Sequence, residues 1–426
     1  MTVAMVKASP ALLRSFSGRT IRSIGVPAEI KQGEGRVGMT PMGVAAIKRE
    51  YPNVTINVLD GAGIGSDFSN NDYENAGAVI TDDIRGVWGA DMVVKVKEPL
   101  DGSAYGKANE FSMLGAYQPL LFTYLHLAAD QSLASSMAKT GATGIAYETV
   151  QKEDGSIPML IPMSIIAGMQ APIQAASLGY PHGAKGQLIY GVHGAAQPQN
   201  VFVIGGGIVG SYAATVALGL NARVRIADIN PTTPRTHLSN ISHNSCYKLT
   251  DAMVRTVTFQ ESSPEAIEDS LKWANTIIGA ALIPGAQAPK LVNDDFFRNT
   301  APRKVIVDVS IDQGGTTSQS HATTHAKPTY IVDSGLNHHE YGDVSVPGTV
   351  MYCVANMPGM NPCTATRALT GTTLPYILAM LGGFDKAFEE HPELVGGINT
   401  HEGYITRASV AQPLGLTSML KELKDF

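Results

Sequence analysis

An apolar strand that runs straight into a spaced set of glycines most narrows what this chain can fold into. The run VFVIGGGIVG (201–210) puts Val201 to Ile204 ahead of Gly205, Gly207 and Gly210; a charge-free helical stretch and a second strand, VRIAD, follow. Each glycine has its own duty in a dinucleotide-binding turn. Gly205 permits the tight turn, Gly207 lets the backbone approach a pyrophosphate, and Gly210 lets the helix pack closely on the strand. The helix beginning there aims unpaired N–H groups and its positive dipole end at the phosphates. Asp228 closes the second strand, where a carboxylate accepts from both ribose hydroxyls. The same carboxylate repels a 2′-phosphate, so the turn favours NAD over NADP. A membrane span competes, since 201–220 carries no charge and about 20 apolar residues cross a bilayer. Five glycines within it, and Arg223, Arg225 and Asp228 directly after it, favour the turn.

The rest of the chain repeats strand and helix. IRSIGVPAE, TINVLD, DMVVKVKEP, LLFTYLHLA and TGIAYETV read as strands, and PMGVAAIKREY as a helix with Pro41 in its first turn. Leu100 to Gln118 reads as a polar surface loop, and Ser164 to Leu178 as a buried connecting helix. RTVTF, NTIIGAAL and KVIVDVSID supply further strands after the glycine turn, and the text after Asn356 is helical, ending in a polar tail helix. Alternating β and α elements imply parallel sheets covered by helices. At 426 residues the prior is two domains. The expected fold is α/β, two doubly wound Rossmann-like domains with a cleft between them.

Composition limits the partners. Hydrophobic residues at 44% and charged ones at 16% describe well-buried globular cores. A net charge of −6 with no basic run argues against nucleic acid. Cys246, Cys353 and Cys363 form no metal-ligand spacing and read as free thiols in a reducing compartment, so no metal is expected. The first twenty residues hold Lys7, Arg14, Arg19, several serines and no acid, as some transit peptides do. Their poor apolar periodicity favours an ordinary extension and a cytoplasmic protein.

A cofactor turn does not name a reaction, so substrate groups must be sought elsewhere. Arg36 sits in the loop after the first strand, and Lys97 ends VVKVK with Lys95 two residues before it. Charges at the carboxyl ends of apolar strands are costly unless they bind something. A guanidinium fork plus an ammonium suits a small carboxylate; ion pairing with Glu34 or Glu98 at the surface is the competing reading. His126, at the end of LLFTYLHLA, is a candidate proton exchanger or a satisfied core histidine. Asp312 closes the strand VDVSID before Gly314 and Gly315, whereas Asp308 reads as a mid-strand structural acid. His338, His339 and Glu340 read as a polar surface loop, because neighbouring strand residues face opposite ways.

Beyond patterning, the chain resembles the alanine dehydrogenases over nearly its full length after residue 21. The resemblance rests on IGVPAEIKQGEGRVGMTP, DGAGIGSDFSNNDYENAGA, VVKVKEP, FTYLHLA, IAYETV, IGAALIPGAQAPKLV, VDVSIDQGG, YCVANMPG and THEG, in that order. It implies that Arg36 and Lys97 hold the carboxylate of pyruvate or alanine, that His126 hydrogen-bonds the substrate oxygen or nitrogen, and that Asp312 handles the proton of the water adding to the imine. Ser164, Asp228, Leu282, Val354 and Asn356 would join the three glycines around NAD. The implied domains are 1–158 with 363–426 for substrate and 159–362 for NAD. The implied reaction is reversible oxidation of L-alanine to pyruvate and ammonium, in a homo-oligomer, commonly a hexamer. Ile165 stands where the family has an acid, His193 where it has proline, and PTTPRTHLSNISHN after Asp228 lacks the usual lysine. Rival readings are the NAD-binding module of a transhydrogenase, an imine-reducing amino-acid dehydrogenase and a scaffold with a decayed site. His126 together with Asp312 argues for substrate chemistry.

Overall fold

A computed structural model describes residues 9–16, 18–178, 197–244, 250, 253–254, 256–283, 287–300, 304–340 and 346–426. His193 and Cys246 lie outside them. The chain forms two compact units, Met1–Met163 with Asn361–Phe426, and Ser164–Met360. The first unit opens with β1 (Ser23–Val26), β2 (Thr55–Leu59), β3 (Val79–Thr81), β4 (Met92–Val94), β5 (Leu120–Thr123) and β6 (Thr143–Ala146). The second holds β7 (Asn200–Ile204), β8 (Arg223–Asp228), β9 (Thr258–Glu261), β10 (Thr276–Gly279), β11 (Val305–Asp308), β12 (Thr329–Asp333), β13 (His338–Glu340) and β14 (Gly348–Tyr352). The chain then returns to the first unit with β15 (Ile398–His401) and β16 (Tyr404–Ile405).

Each unit is built on an eight-stranded sheet, ordered β16-β15-β6-β5-β4-β1-β2-β3 in the first and β13-β12-β14-β11-β10-β7-β8-β9 in the second. Pairing is parallel except at one edge of each sheet, where β15 and β16, and β12 and β13, run antiparallel. All four residues of β5, β6, β10 and β11 are buried, as expected of strands covered on both faces. Strand order reverses between β1 and β4 in one sheet and between β7 and β10 in the other. At such switch points the loops leaving the carboxyl ends part in opposite directions and open a crevice for ligands.

Local signals explain most element starts. Thr40 caps the helix Pro41–Glu50 by accepting from the Gly43 amide, and Pro41 fills the first position, where a missing N–H is harmless. Several expectations need correction. Leu100–Gln118 contains a 3-10 turn at Ser103–Tyr105 and a helix at Glu110–Tyr117, capped by Asn109 on the Ser112 amide at 3.0 Å. Its first residue, Glu110, is buried against Lys95, a long-range pairing that no local periodicity encodes. The stretch 338–340 is an edge strand paired with β12, not a loop. His338 Nε2 meets Gln319 Oε1 at 2.9 Å and His339 Nε2 meets Asp333 Oδ2 at 2.8 Å, so the two imidazoles have separate partners. Among the described residues no group of His, Cys, Asp and Glu is arranged to hold a metal ion.

The polar tail is not one helix. It contributes β15, β16, a short helix at Ala408–Ala411 and 3-10 turns. The charge-free stretch 201–220 divides into β7 and the helix Ile208–Gly219, and no described helix is long and apolar enough to cross a membrane. Residues 10–16 form a helix whose Leu12 and Phe16 are buried, with Phe16 stacked on His401 at 5.2 Å between ring centroids. Cys353 and Cys363 are free thiols.

Candidate functional site

In the first unit the candidates lie on loops leaving β1, β4 and β5. The loop after β1 crosses tightly over the end of β4: a Cβ at Gly38 would fall 2.2 Å from the Val94 carbonyl oxygen. This crossing delivers Arg36 to the switch point. Arg36 is 3% exposed, and its Nε and Nη2 fork onto Glu34 Oε1 and Oε2 at 2.7 and 2.6 Å. Its Nη1 lies 3.1 Å from Met163 Sδ. Pairing with Glu34 is therefore real, but it is a buried clamp that sets the guanidinium plane, not a surface salt bridge. Burial works to raise the Glu34 carboxyl; Arg36, and then Lys97, outweigh it and hold the group at about 2.

The two lysines have parted company. Strand β4 ends at Val94, with Lys95 still donating its amide to the Phe122 carbonyl at 3.1 Å, so both lysines lie beyond the strand itself. Glu29 ends it by accepting from the amides of Val96 at 2.7 Å and Lys97 at 3.4 Å. Lys95 is wholly buried, with Nζ donating to Glu29 at 3.1 Å and Glu110 at 2.8 Å. It closes a structural triad. Lys97 is 6% exposed, and its charge acts on both Glu34 and Glu98. Burial likewise works to raise Glu98, while His126, Lys97 and Lys31 together bring it to about 2. Arg36, Lys97 and His126 thus share one electrostatic neighbourhood.

These depressed carboxyls carry a pH signature. A carboxyl whose folded value lies below its unfolded one, about 4.3 for glutamate, adds stability above the unfolded value and loses it as pH falls towards the folded one. Urea midpoints should therefore drop from about pH 5 down to about 2. Glu34→Gln should flatten part of that slope; an unaltered slope would mean that Glu34 is not ionised in the folded clamp.

His126 lies three residues beyond β5, not at the strand's end as its apolar flank suggests. It adopts the left-handed region, with φ 50° and ψ 29°, and leads into the 3-10 turn Leu127–Ala129. Its amide donates to Glu148 Oε1 at 2.7 Å, and its ring lies face to face with Tyr124 at 5.8 Å. The Tyr124 hydroxyl donates to the Met159 carbonyl at 2.6 Å, which anchors the platform under the imidazole.

In the second unit the glycine turn has the expected form. Gly205 sits at φ +96°, and a Cβ there would meet the Ala280 carbonyl oxygen at 2.6 Å. A Cβ at Gly210 would fall 1.9 Å from the Gly205 oxygen, so helix and strand pack too closely for any side chain. Nothing lies within 4 Å of a Cβ built on Gly207, leaving the space a phosphate needs. Asp228 ends β8 and accepts from the amides of Gly206 at 2.7 Å and Asn230 at 2.9 Å. It ties the turn to the second strand. The unusual run after it forms the helix Thr232–Asn244, whose Pro234 presses on Gly206.

The remaining candidates of this unit are spread over loops and one helix. Ser164 is half-buried in the helix Ile161–Leu178, beside Ile165. Leu282 is 51% exposed on the loop after β10. After β14, Val354 is buried and bridges to Thr323. Asn356 sits at φ 101°, its carbonyl accepting from the Gly359 amide at 2.9 Å and lying 3.0 Å from His325 Nε2. Asp312 is exposed in the 3-10 turn Val309–Gln313, because the chain leaves the sheet four residues earlier than expected. Asp308, not Asp312, ends the strand. It is buried and accepts from the Thr316 amide at 2.7 Å and the Ser320 hydroxyl at 2.6 Å, a structural role in spite of its corrected position. Burial pushes its carboxyl up.

Tyr124 and Glu148 escaped the sequence reading, and Glu98 entered it only as a surface ion-pair partner. Glu98 stands inside the VKVKEP motif, yet nothing local distinguishes it from a surface acid. Glu148 lies 22 residues from His126, and only the pairing of β5 with β6 brings them together.

Residues 25–167 match the alanine dehydrogenase/PNT N-terminal domain and residues 171–408 its C-terminal domain. An alanine dehydrogenase of Halomonas elongata is 41% identical over 397 residues, spanning 92% of this chain and 97% of the relative. One from Bacillus subtilis is 42% identical over 395 residues, 92% of this chain and 94% of its own. A solved L-alanine dehydrogenase superposes over 92% of this chain and 98% of its own, with TM-score 0.75 and 38% identity. Similar in sequence across both domains and in fold along nearly the whole length, this chain belongs to the alanine dehydrogenase/PNT family.

Proposed function

We propose that this protein is an NAD-dependent L-alanine dehydrogenase, interconverting L-alanine and water with pyruvate and ammonium. The observation that carries the proposal is the gathering of Arg36, Lys97 and His126 at the β1/β4 switch point of a chain whose full-length relatives are named for that activity. The second unit suits NAD. Gly207 leaves room for a pyrophosphate, the helix from Ile208 offers its amino end, and Asp228 presents an acceptor at the end of β8. In this reading 1–158 with 363–426 bind substrate and 159–362 bind NAD.

When bound, NAD supplies the acceptor for the hydride of the α-carbon. The protein's part is to position charge and protons. Arg36 and Lys97 hold the substrate carboxylate and so fix where the α-carbon points. His126 takes a proton from the substrate nitrogen as the C–N bond gains double-bond character, and stabilises the oxygen of pyruvate in reverse. Asp312 accepts the proton of the water that adds to the imine; collapse of the carbinolamine then expels ammonia. Arg36→Lys tests the first role. The Arg36 fork lies on Glu34, and a lysine's point charge cannot keep that clamp while also presenting a donor to the carboxylate. The KM for pyruvate should therefore rise about tenfold or more, each tenfold being about 1.4 kcal/mol. An unchanged KM would place the carboxylate elsewhere.

The deciding experiment is NADH formation from a panel of amino acids, with pyruvate and ammonium in the reverse direction. We expect alanine to be oxidised well ahead of the others. Reduction of NAD by none of them, or reverse activity only with a second amino acid in place of ammonium, overturns the reading.

A further inference from the structure

We propose that Glu148 is a positioning residue for this reaction, holding the main chain at His126 in the conformation that presents the imidazole. The inference rests on the reading of His126 as the proton-transfer group. After β5 the chain must turn sharply, and the amides of Leu125 and His126 leave the sheet without strand partners. Glu148, from the 3-10 turn Tyr147–Thr149 at the end of neighbouring β6, receives both. Its Oε1 accepts from His126 at 2.7 Å and from Leu125 at 3.2 Å, and its Oε2 accepts from Leu125 at 3.3 Å.

The conformation so held is one a histidine does not choose freely. A side chain other than glycine at positive φ is uncommon, and such residues persist where surroundings over-determine them. Here the charge-assisted bonds of one carboxylate supply the constraint. The half-buried Arg407 feels the field of Glu148 and donates from Nη1 to the Gly396 carbonyl oxygen. A cation on the returning carboxyl-terminal segment thus adds its field to the carboxylate's surroundings. Tyr124 fixes the ring from its face, and Glu148 fixes the backbone from which the ring hangs.

The test is a double-mutant cycle on the full-length protein, with kcat for alanine, the KM for NAD and the thermal midpoint read together. Glu148→Ala frees the backbone and should lower kcat on the order of 10²-fold, as small misplacements do. Glu148→Gln keeps one acceptor oxygen and should recover most of that loss. Both should leave the KM for NAD within about twofold, and neither should lower the residual rate of His126→Ala further. Turnover within about twofold of the parent in Glu148→Ala, or the same fractional loss with and without His126, overturns the proposal. Should Glu148→Ala not fold, a loss in Glu148→Gln that vanishes in the His126→Ala background supports it, and a loss that persists there overturns it. Alanine oxidation by the parent protein, measured first, separates failure of this inference from failure of the reading beneath it.

Discussion

Replacing His126 with alanine should reduce alanine oxidation on the order of 10²- to 10⁴-fold, the range a positioned general acid–base contributes. Stability should barely follow. The side chain is only partly buried and packs by one face on Tyr124, so its removal opens no core cavity. The Glu148 bond to residue 126 is made by the backbone amide and survives the substitution. His126→Asn is the more lenient companion, because asparagine tolerates the left-handed region better than alanine does. It should lose nearly as much turnover, since an amide does not exchange protons near neutral pH. Steady-state rates by NADH absorbance and NAD titration by fluorescence check both halves. Near-normal turnover in both variants would sink the assignment of His126.

The largest effect on stability is expected at Lys95, which stands two residues from a substrate candidate and does something else. Lys95→Met leaves Glu29 and Glu110 facing each other in a buried site with no cation between them. Breaking a buried ion pair by removing one partner costs about 3–5 kcal/mol. The ammonium also lies 5.9 Å from the Trp88 ring centroid, a contact methionine replaces without its charge. The denaturation midpoint should fall sharply. Burial and the nearness of Glu110 already push the Glu29 carboxyl up, and loss of Lys95 removes the charge opposing them. Lys97→Ala should raise the KM for pyruvate with a smaller loss of stability, because Glu34 and Glu98 keep Arg36 and Lys31 as partners. Denaturant titration beside steady-state kinetics on both variants separates the two roles. A stable Lys95→Met with a raised KM would mean that the lysines had been assigned the wrong way round.

That pair shows where sequence and structure divide the work. Read along the chain, VVKVKEP offers two lysines of equal parity and no reason to separate them. Separation comes from Glu29 and Glu110, which lie far off in sequence and meet Lys95 only once β1 and β4 pair and the helix from Glu110 docks. Strand ends slipped for the same reason. The apolar runs through Lys97, His126 and Asp312 continue past Val94, Thr123 and Asp308, the last residues of their strands. Carboxylates cap the first two ends by taking amides the sheet would otherwise use, and side-chain hydrophobicity carries no record of that.

By itself the sequence determined the glycine turn, its flanking strands, Asp228 as the closing acid, and alternation into parallel α/β architecture. These are local properties: φ freedom at glycine, apolar period and cap chemistry act within a few residues. Only the tertiary structure decided which buried charges build the fold and which face the candidate site. It alone placed β12, β13, β15 and β16 at the antiparallel edges, and it alone bent the chain at His126. Each of these depends on partners distant in sequence, and a buried charge takes its role from the partner it meets.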